Sequence, residues 1–320
     1  MNDALMEEPR VAIVRSYRPA PGHVKARAVN ARRVHLRPAM TVEQAFRATV
    51  LECLAQVGGN APAIRARDPE GVHQIRVGLR RLQMALSSFG EYAEVPELKA
   101  LGKRGREIAD VFGPARDLDV FAAELVEPVA QKFPDHESFE ALRLALRHAR
   151  GEAWDDALAE VLNPDFNGFL NDVAAATETV AQDTRRIRKV SRRTLDAHLA
   201  RARKRGKRVR KVYDIRTHRL RIALKKLRYA AGFFESLLGA SAQKRFEARL
   251  KKLQAALGRL NDFRTHAQFA REVMRGRTQT KAGTYALGVV RGEEQKDARY
   301  CIKAAGKAGS RLRKEPRYWA

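Results

Sequence analysis

Residues 72–89, VHQIRVGLRRLQMALSSF, align without a gap with residues 217–234, THRLRIALKKLRYAAGFF, at an offset of 145. His73 meets His218, Arg76 meets Arg221, and Arg80-Arg81 meets Lys225-Lys226. Leu79, Leu82 and Phe89 meet Leu224, Leu227 and Phe234. The same offset sets GPARD at 113–117 against GRLND at 258–262. Two separated matches at one offset mark an internal duplication, which obliges the chain to build one supersecondary unit twice. Two homologous halves are expected, 39–180 and 181–310, with a basic flexible tail over 1–38 and a basic tail over 311–320.

The period within each unit is helical. Val42, Phe46, Val50, Cys53 and Val57 fall on one stripe, and Gly58-Gly59 ends that helix. Asp68-Pro69-Glu70 is a helix start, and Ile75, Leu79, Leu82, Leu86 and Phe89 form the next buried stripe. Further helical segments are expected near 97–112, 117–130, 137–162 and 165–180. No stretch alternates apolar and polar residues with β-branched enrichment, so the expected fold class is all-α. At 44% hydrophobic, 320 residues supply one large or two medium cores, which excludes disorder throughout. Cys53 and Cys301 alone provide neither a disulfide framework nor a thiolate zinc site. Without an apolar run of about 18 residues no membrane span is expected. The acidic start lacks the pattern of a signal peptide, so a soluble, cytoplasmic protein is expected.

The net charge of +26 is unevenly placed. Residues 91–183 carry −11, whereas 184–274 carry +22, and Thr184 to Lys211 holds fourteen Lys/Arg against the single acid Asp196. Self-repulsion at that density opposes folding, so a polyanionic partner is the economical reading; a solvated basic face with no partner is the bland one. On the repeated helix, 100° per residue separates His73, Arg76 and Arg80 from the buried stripe, and His218, Arg221 and Lys225 take the same places. Each repeat thus sets an imidazole and two cations one turn apart. That spacing suits a ligand with a phosphate every few ångströms.

Each of these residues has a structural alternative. A histidine near a helix start is commonly a surface residue, and Arg80-Arg81 and Lys225-Lys226 could be solvated faces. Asp117 and Asp262 follow Gly-containing turns and read as N-caps of new helices, with orientation of a neighbouring Arg as the other reading. Cys53 reads as core, and His198 is its counterpart in the second half. Tyr229, aligned with Met84, sits beside the basic face as packing or ligand contact. Asp262 and His266, at i and i+4, could form a metal pair, but the counterpart of His266 is Phe121. No metal site, cofactor or catalytic residue is therefore expected.

VHQIRVGLRR and THRLRIALKKLRYA, each followed about 40 residues later by the Gly-x-x-[Arg/Asn]-Asp run, resemble the CHAD family, the conserved histidine α-helical domain. The resemblance covers roughly 39–310. It implies two pseudo-symmetric helical bundles enclosing a basic channel, binding of inorganic polyphosphate, association with polyphosphate granules, and no catalysis by this domain. Carried over by position, His73, Arg76, Arg80 and Arg81 match the first signature, and His218, Arg221, Lys225, Lys226 and Arg228 the second. Some members carry a triphosphatase domain ahead of this module. With about 38 residues preceding it and no Glu-x-Glu-x-Lys motif, that activity is not expected. The charge asymmetry leads us to expect Arg185, Arg188, Arg192, Arg201, Lys204 and Arg208 to dominate affinity, with Arg47, the counterpart of Arg192, on the same surface. The competing function is general RNA or DNA binding, weakened by aromatics at only 7% that hardly interleave with the basic run. Phosphate beside His73 and His218 should raise their pKa values, giving tighter binding at pH 6 than at pH 8.

Overall fold

Helix α1 (Val42–Gly59) begins at a reciprocal cap, the Thr41 hydroxyl accepting from the Gln44 amide and the Gln44 side chain accepting from the Thr41 amide. Its stripe of Val42, Phe46, Val50, Cys53 and Val57 is buried, as the periodicity predicts. Asn60 closes α1 and opens the short α2 (Ala61–Arg65). Helix α3 (Pro69–Phe89) starts where Asp68 accepts from the Glu70 amide at 2.9 Å. The computed structural model describes residues 27–320 except 90–94, 135, 181, 207–214, 239, 274–279, 297, 315–316 and 320. All regular elements among the described residues are helical. They continue as α4 (Pro96–Val120), a π-helical turn (Phe121–Val126), α5 (Glu127–Ala130), α6 (Ser138–Leu162) and α7 (Pro164–Glu178). The second half supplies α8 (Ile187–Arg205), α9 (Ile215–Phe233), a 3-10 turn (Glu235–Leu237), α10 (Ala240–Val273), α11 (Lys281–Lys296) and α12 (Ala298–Arg313).

Helix α3 packs between α1 and α4, and α9 packs between α8 and α10. The repeated helices α3 and α9 also touch each other. At this junction the Phe46 and Phe89 rings lie 5.6 Å apart and the Phe89 and Phe234 rings 5.8 Å apart. The starts of α1 and α8 are tied by two hydrogen bonds, Val42 N to Arg185 O at 3.0 Å and Ile187 N to Met40 O at 3.1 Å.

Two expectations are corrected. The breaks predicted at Gly113-Pro114 and at Gly258 do not occur: α4 and α10 run straight through both sites. Asp117 and Asp262 are therefore interior helical residues, and neither is an N-cap. Pro114 removes one amide hydrogen from α4 and disturbs the preceding turn. Nearby, the Ala109 carbonyl accepts from the Arg76 side chain at 3.0 Å.

Of the tail expected over 1–38, residues 1–26 lie outside the described residues. Residues 27–38 form a strap with Val34 and Leu36 buried. Val29 exchanges two hydrogen bonds with the Asn60 side chain, each 2.8 Å, and the Leu36 amide donates to Ser236 Oγ at 2.9 Å. At the other end Trp319 is buried against Phe246, and its indole N–H donates to Asp196 at 2.9 Å. The lone acid of the basic run thus anchors the C-terminus. No described helix is long and apolar enough to cross a membrane.

Candidate anion-binding site

The facing sides of α3 and α9 bring Arg76, Arg80, Arg221 and Lys225 into one electrostatic cluster. Lys225 is half-buried, and its ammonium is pushed down to about 7, first by burial and then by Arg221, Arg80, Arg228 and Arg76. Arg221 is lowered by burial, with Arg80 adding and the Asp262 and Asp117 carboxylates opposing. Arg76 is lowered by burial too, with Arg80 and Arg116 adding and Asp117 opposing. Residues from both repeats therefore sit within each other's fields.

The geometry around Arg76 explains why its surroundings read as a motif. Its side chain is 18% exposed and lies 4.0 Å from Asp117, with Nη1 on the Ala109 carbonyl. A Cβ at position 113 would fall 2.9 Å from Nη1, so Gly113 clears space for the guanidinium. Gly113 and Asp117 both serve Arg76, one by clearance and one by charge. In the second half Asp262 takes the corresponding electrostatic place beside Arg221. Its own carboxyl is raised by burial, helped by Glu124 and Asp117 and opposed by His266 and Arg221. Orientation of an arginine, the alternative reading of these two carboxylates, accounts for their surroundings where capping does not.

His73 borders the cluster, half-buried. It is held below its usual value by burial first, then by Arg116, Arg80 and Arg76, while Glu70 pulls the other way. His218 is also half-buried, with Nδ1 unpartnered among the described residues. Arg116 acts on both His73 and Arg76. Repeat alignment passed over Arg116 because its counterpart is Asn261. Its position inside the GPARD run was the available signal.

Other residues singled out from the sequence lie elsewhere. Arg81 is buried on a different side of α3, donating to Gln56 Oε1 at 2.6 Å and to the Arg32 carbonyl at 3.1 Å. Lys226 is exposed and acts on the buried His198, whose imidazole is pushed down to about 4 by burial, then Arg201, then Lys226. Arg228 is exposed and packs over the Tyr229 ring at 5.7 Å. Arg188, Arg192, Arg201 and Lys204 are exposed along α8, and Arg185 pairs with Asp183 at 2.5 Å. Arg47 clasps α1 to α7 through Glu43 at 3.0 Å and Glu178 at 2.9 Å. Arg208 lies outside the described residues.

Beyond Asp262 the charge becomes mixed. A cleft of about 380 Å³ is lined by Glu124, Asp262, His266, Glu293 and Glu294, with Lys132, Arg259 and Lys296 among its other residues. His266 Nδ1 lies 2.5 Å from Glu294 Oε1, and Arg291 also pairs with Glu294. No group of three or more His, Cys, Asp or Glu able to hold a metal ion occurs among the described residues. His266 and Arg291 share Glu294 as ion-pair partner, and the Asp262 charge acts on His266.

The described elements define an all-helical domain in which α3 and α9, the helices that carry the two aligned signatures, meet in a cationic cluster. The CHAD domain family matches residues 48–271, and the chain belongs to this family. The structure is similar to the crystal structure of the CHAD domain from the plant Ricinus communis. The two share 25% identity at a TM-score of 0.77, over 93% of this chain and 99% of that one. It also resembles PptA from Streptomyces chartreusis in fold, at 16% identity and a TM-score of 0.64, over 85% of this chain and 100% of that one. No curated protein matches the sequence.

Proposed function

We propose that this protein binds inorganic polyphosphate, without turnover, in a basic channel between two pseudo-symmetric helical halves, and that binding directs it to polyphosphate granules. The observation that carries the reading is the cluster of Arg76, Arg80, Arg221 and Lys225, in which burial and neighbouring cations disfavour the charges of Arg76, Arg221 and Lys225. Such an arrangement opposes folding unless a multiply charged anion relieves it, which is the signature of a site rather than of a scaffold. The granule role and the absence of catalysis rest on the family resemblance.

The pseudo-symmetry is supported by repeat mates that meet each other. The Phe89 and Phe234 rings touch, as do those of Phe121 and His266 at 5.1 Å, and Thr41 bridges to Arg186. Each pair is separated by 145 residues, and each would lie on a local twofold axis. Arg80 and Lys225 are also such a pair, which would put the cluster on that axis. The exposed cations of α8 extend the positive surface and favour nonspecific nucleic-acid binding as a secondary property.

Competition at physiological salt tests the reading. Unlabelled long-chain polyphosphate should displace a labelled polyphosphate probe at least tenfold better than duplex DNA or single-stranded RNA of matched charge. Equal competition by nucleic acid would reduce the protein to a general polyanion binder. Gly113→Ala is a second check. The added methyl favours the helix by up to about 1 kcal/mol but intrudes on Arg76. Thermal melts should show an unweakened fold, and calorimetry should show polyphosphate affinity down by on the order of tenfold, the worth of one charged hydrogen bond. Unchanged affinity would remove Arg76 from the site.

A further inference from the structure

Beside the cluster, α3, α9, α10 and the strap enclose a separate cleft of about 520 Å³. Its cations are Arg32 and Arg33 of the strap, Arg81 of α3, Arg228 of α9, and Lys244 and Lys251 of α10; its acids are Glu235 and Glu247. Both acids are engaged. Glu235 pairs with Arg33 at 3.1 Å, and Glu247 accepts from Gln243 at 3.1 Å. Arg81 is engaged as well, and by holding the Arg32 carbonyl it fixes the strap over α3. Arg32, Arg228, Lys244 and Lys251 make no ion pair among the described residues. Four cations thus line one concave surface against the single unpaired carboxylate of Glu247, and Arg32 precedes the span matched to the family.

Arg228 joins this cleft to the cluster, because its charge acts on Lys225 while its side chain lines the cleft. On α3, Val77 lines the cleft immediately after Arg76. The walls also narrow the choice of ligand. A nucleotide base would need an open aromatic face, but the buried Phe233 ring is covered by the Arg81 guanidinium at 5.8 Å, and Tyr229 is covered by Arg228 at 5.7 Å. What remains on offer is positive charge spaced along a groove.

We propose that this cleft is a second anion subsite, which takes the continuation of a polyphosphate chain whose first stretch lies on the Arg76, Arg80, Arg221 and Lys225 cluster. This inference rests on the proposed function and adds chain-length dependence to it: a short oligomer fills the cluster alone, and a long chain reaches both. Lys244 and Lys251 are exposed and two helical turns apart, so replacing both should leave the fold intact.

The test compares tripolyphosphate with long-chain polyphosphate on the wild type and on Lys244→Ala/Lys251→Ala, across a salt titration. The variant should bind the long chain on the order of tenfold or more weakly, with a salt slope shallower by about 1.4 at ~0.7 per lost contact. Tripolyphosphate affinity should stay unchanged. Unaltered long-chain affinity and slope in the variant, or an equal loss for tripolyphosphate, would overturn the second subsite while leaving the first standing. Absence of polyphosphate binding by the wild type would sink the proposed function and this inference together.

Discussion

Polyphosphate binding by Arg76→Ala/Arg221→Ala should fall by roughly 10²–10⁴-fold, the loss of two charge-assisted contacts at about 1.5–3 kcal/mol each. Both guanidiniums are largely buried, so their charges act through little water and each contact is worth more than on an open surface. Truncating Arg188 and Arg192 on the exposed face of α8 should cost far less and act mainly by lowering the salt slope. Titration of a labelled long-chain probe distinguishes the two. A double variant within threefold of wild type, beside a large loss on α8, would move the site from the α3–α9 junction to the basic run. Retention of the native melt in the double variant ties the loss to binding.

Lys225 should impose a pH dependence on folding and binding between pH 7 and 9. Its ammonium is held at about 7 in the free protein, against about 10.4 for an unperturbed lysine. Between those values the unfolded chain carries one more proton at this position than the folded one. Folded stability therefore rises with pH across the window, by up to about 1.4 kcal/mol per unit from this group. A bound polyanion reverses the effect of its cationic neighbours and raises the lysine again, so binding takes up a proton. Affinity should then fall as pH rises from 7 to 9, by at most tenfold per unit. Lys225→Met should flatten both profiles: a melt at pH 7 higher than the wild type's, with weaker polyphosphate binding that no longer varies from pH 7 to 9. A wild-type affinity constant over that range would show that the lysine stays clear of the ligand. His73 is already below its usual value, so its contribution falls in the acidic window, and comparing pH 6 with pH 8 mixes the two groups.

How much of this was legible beforehand differs by residue. The stripes of α1 and α3 were readable because burial repeats with the helical period, and Phe46, Ile75, Leu79 and Phe89 are buried where that period puts them. The continuity of α4 was not readable. Gly113-Pro114 has the local chemistry of a helix end, yet the helix passes through, with packing against α3 and Arg76 on the Ala109 carbonyl outweighing that preference. Arg80 and Arg81, adjacent in sequence, go to opposite fates, since 100° of rotation turns one toward α9 and the other into the contact with Gln56 and the strap. The strap itself was hidden because Val34 and Leu36 are too few to set a period. Both are held by Ser236, and Val29 by Asn60, partners supplied by other parts of the chain.

By itself the sequence determined the helical class, the duplication and the pairing of His73, Arg76 and Arg80 with His218, Arg221 and Lys225. These follow from periodicity and offset, which are properties of a linear string. Only the tertiary structure decided that the two signatures face each other, that Asp117 and Asp262 attend arginines, and that Lys225 sits among four guanidiniums. The physical reason is range. A helical face is fixed within a few residues of chain, whereas a pKa near 7 on a lysine needs burial and charges from a helix more than a hundred residues away.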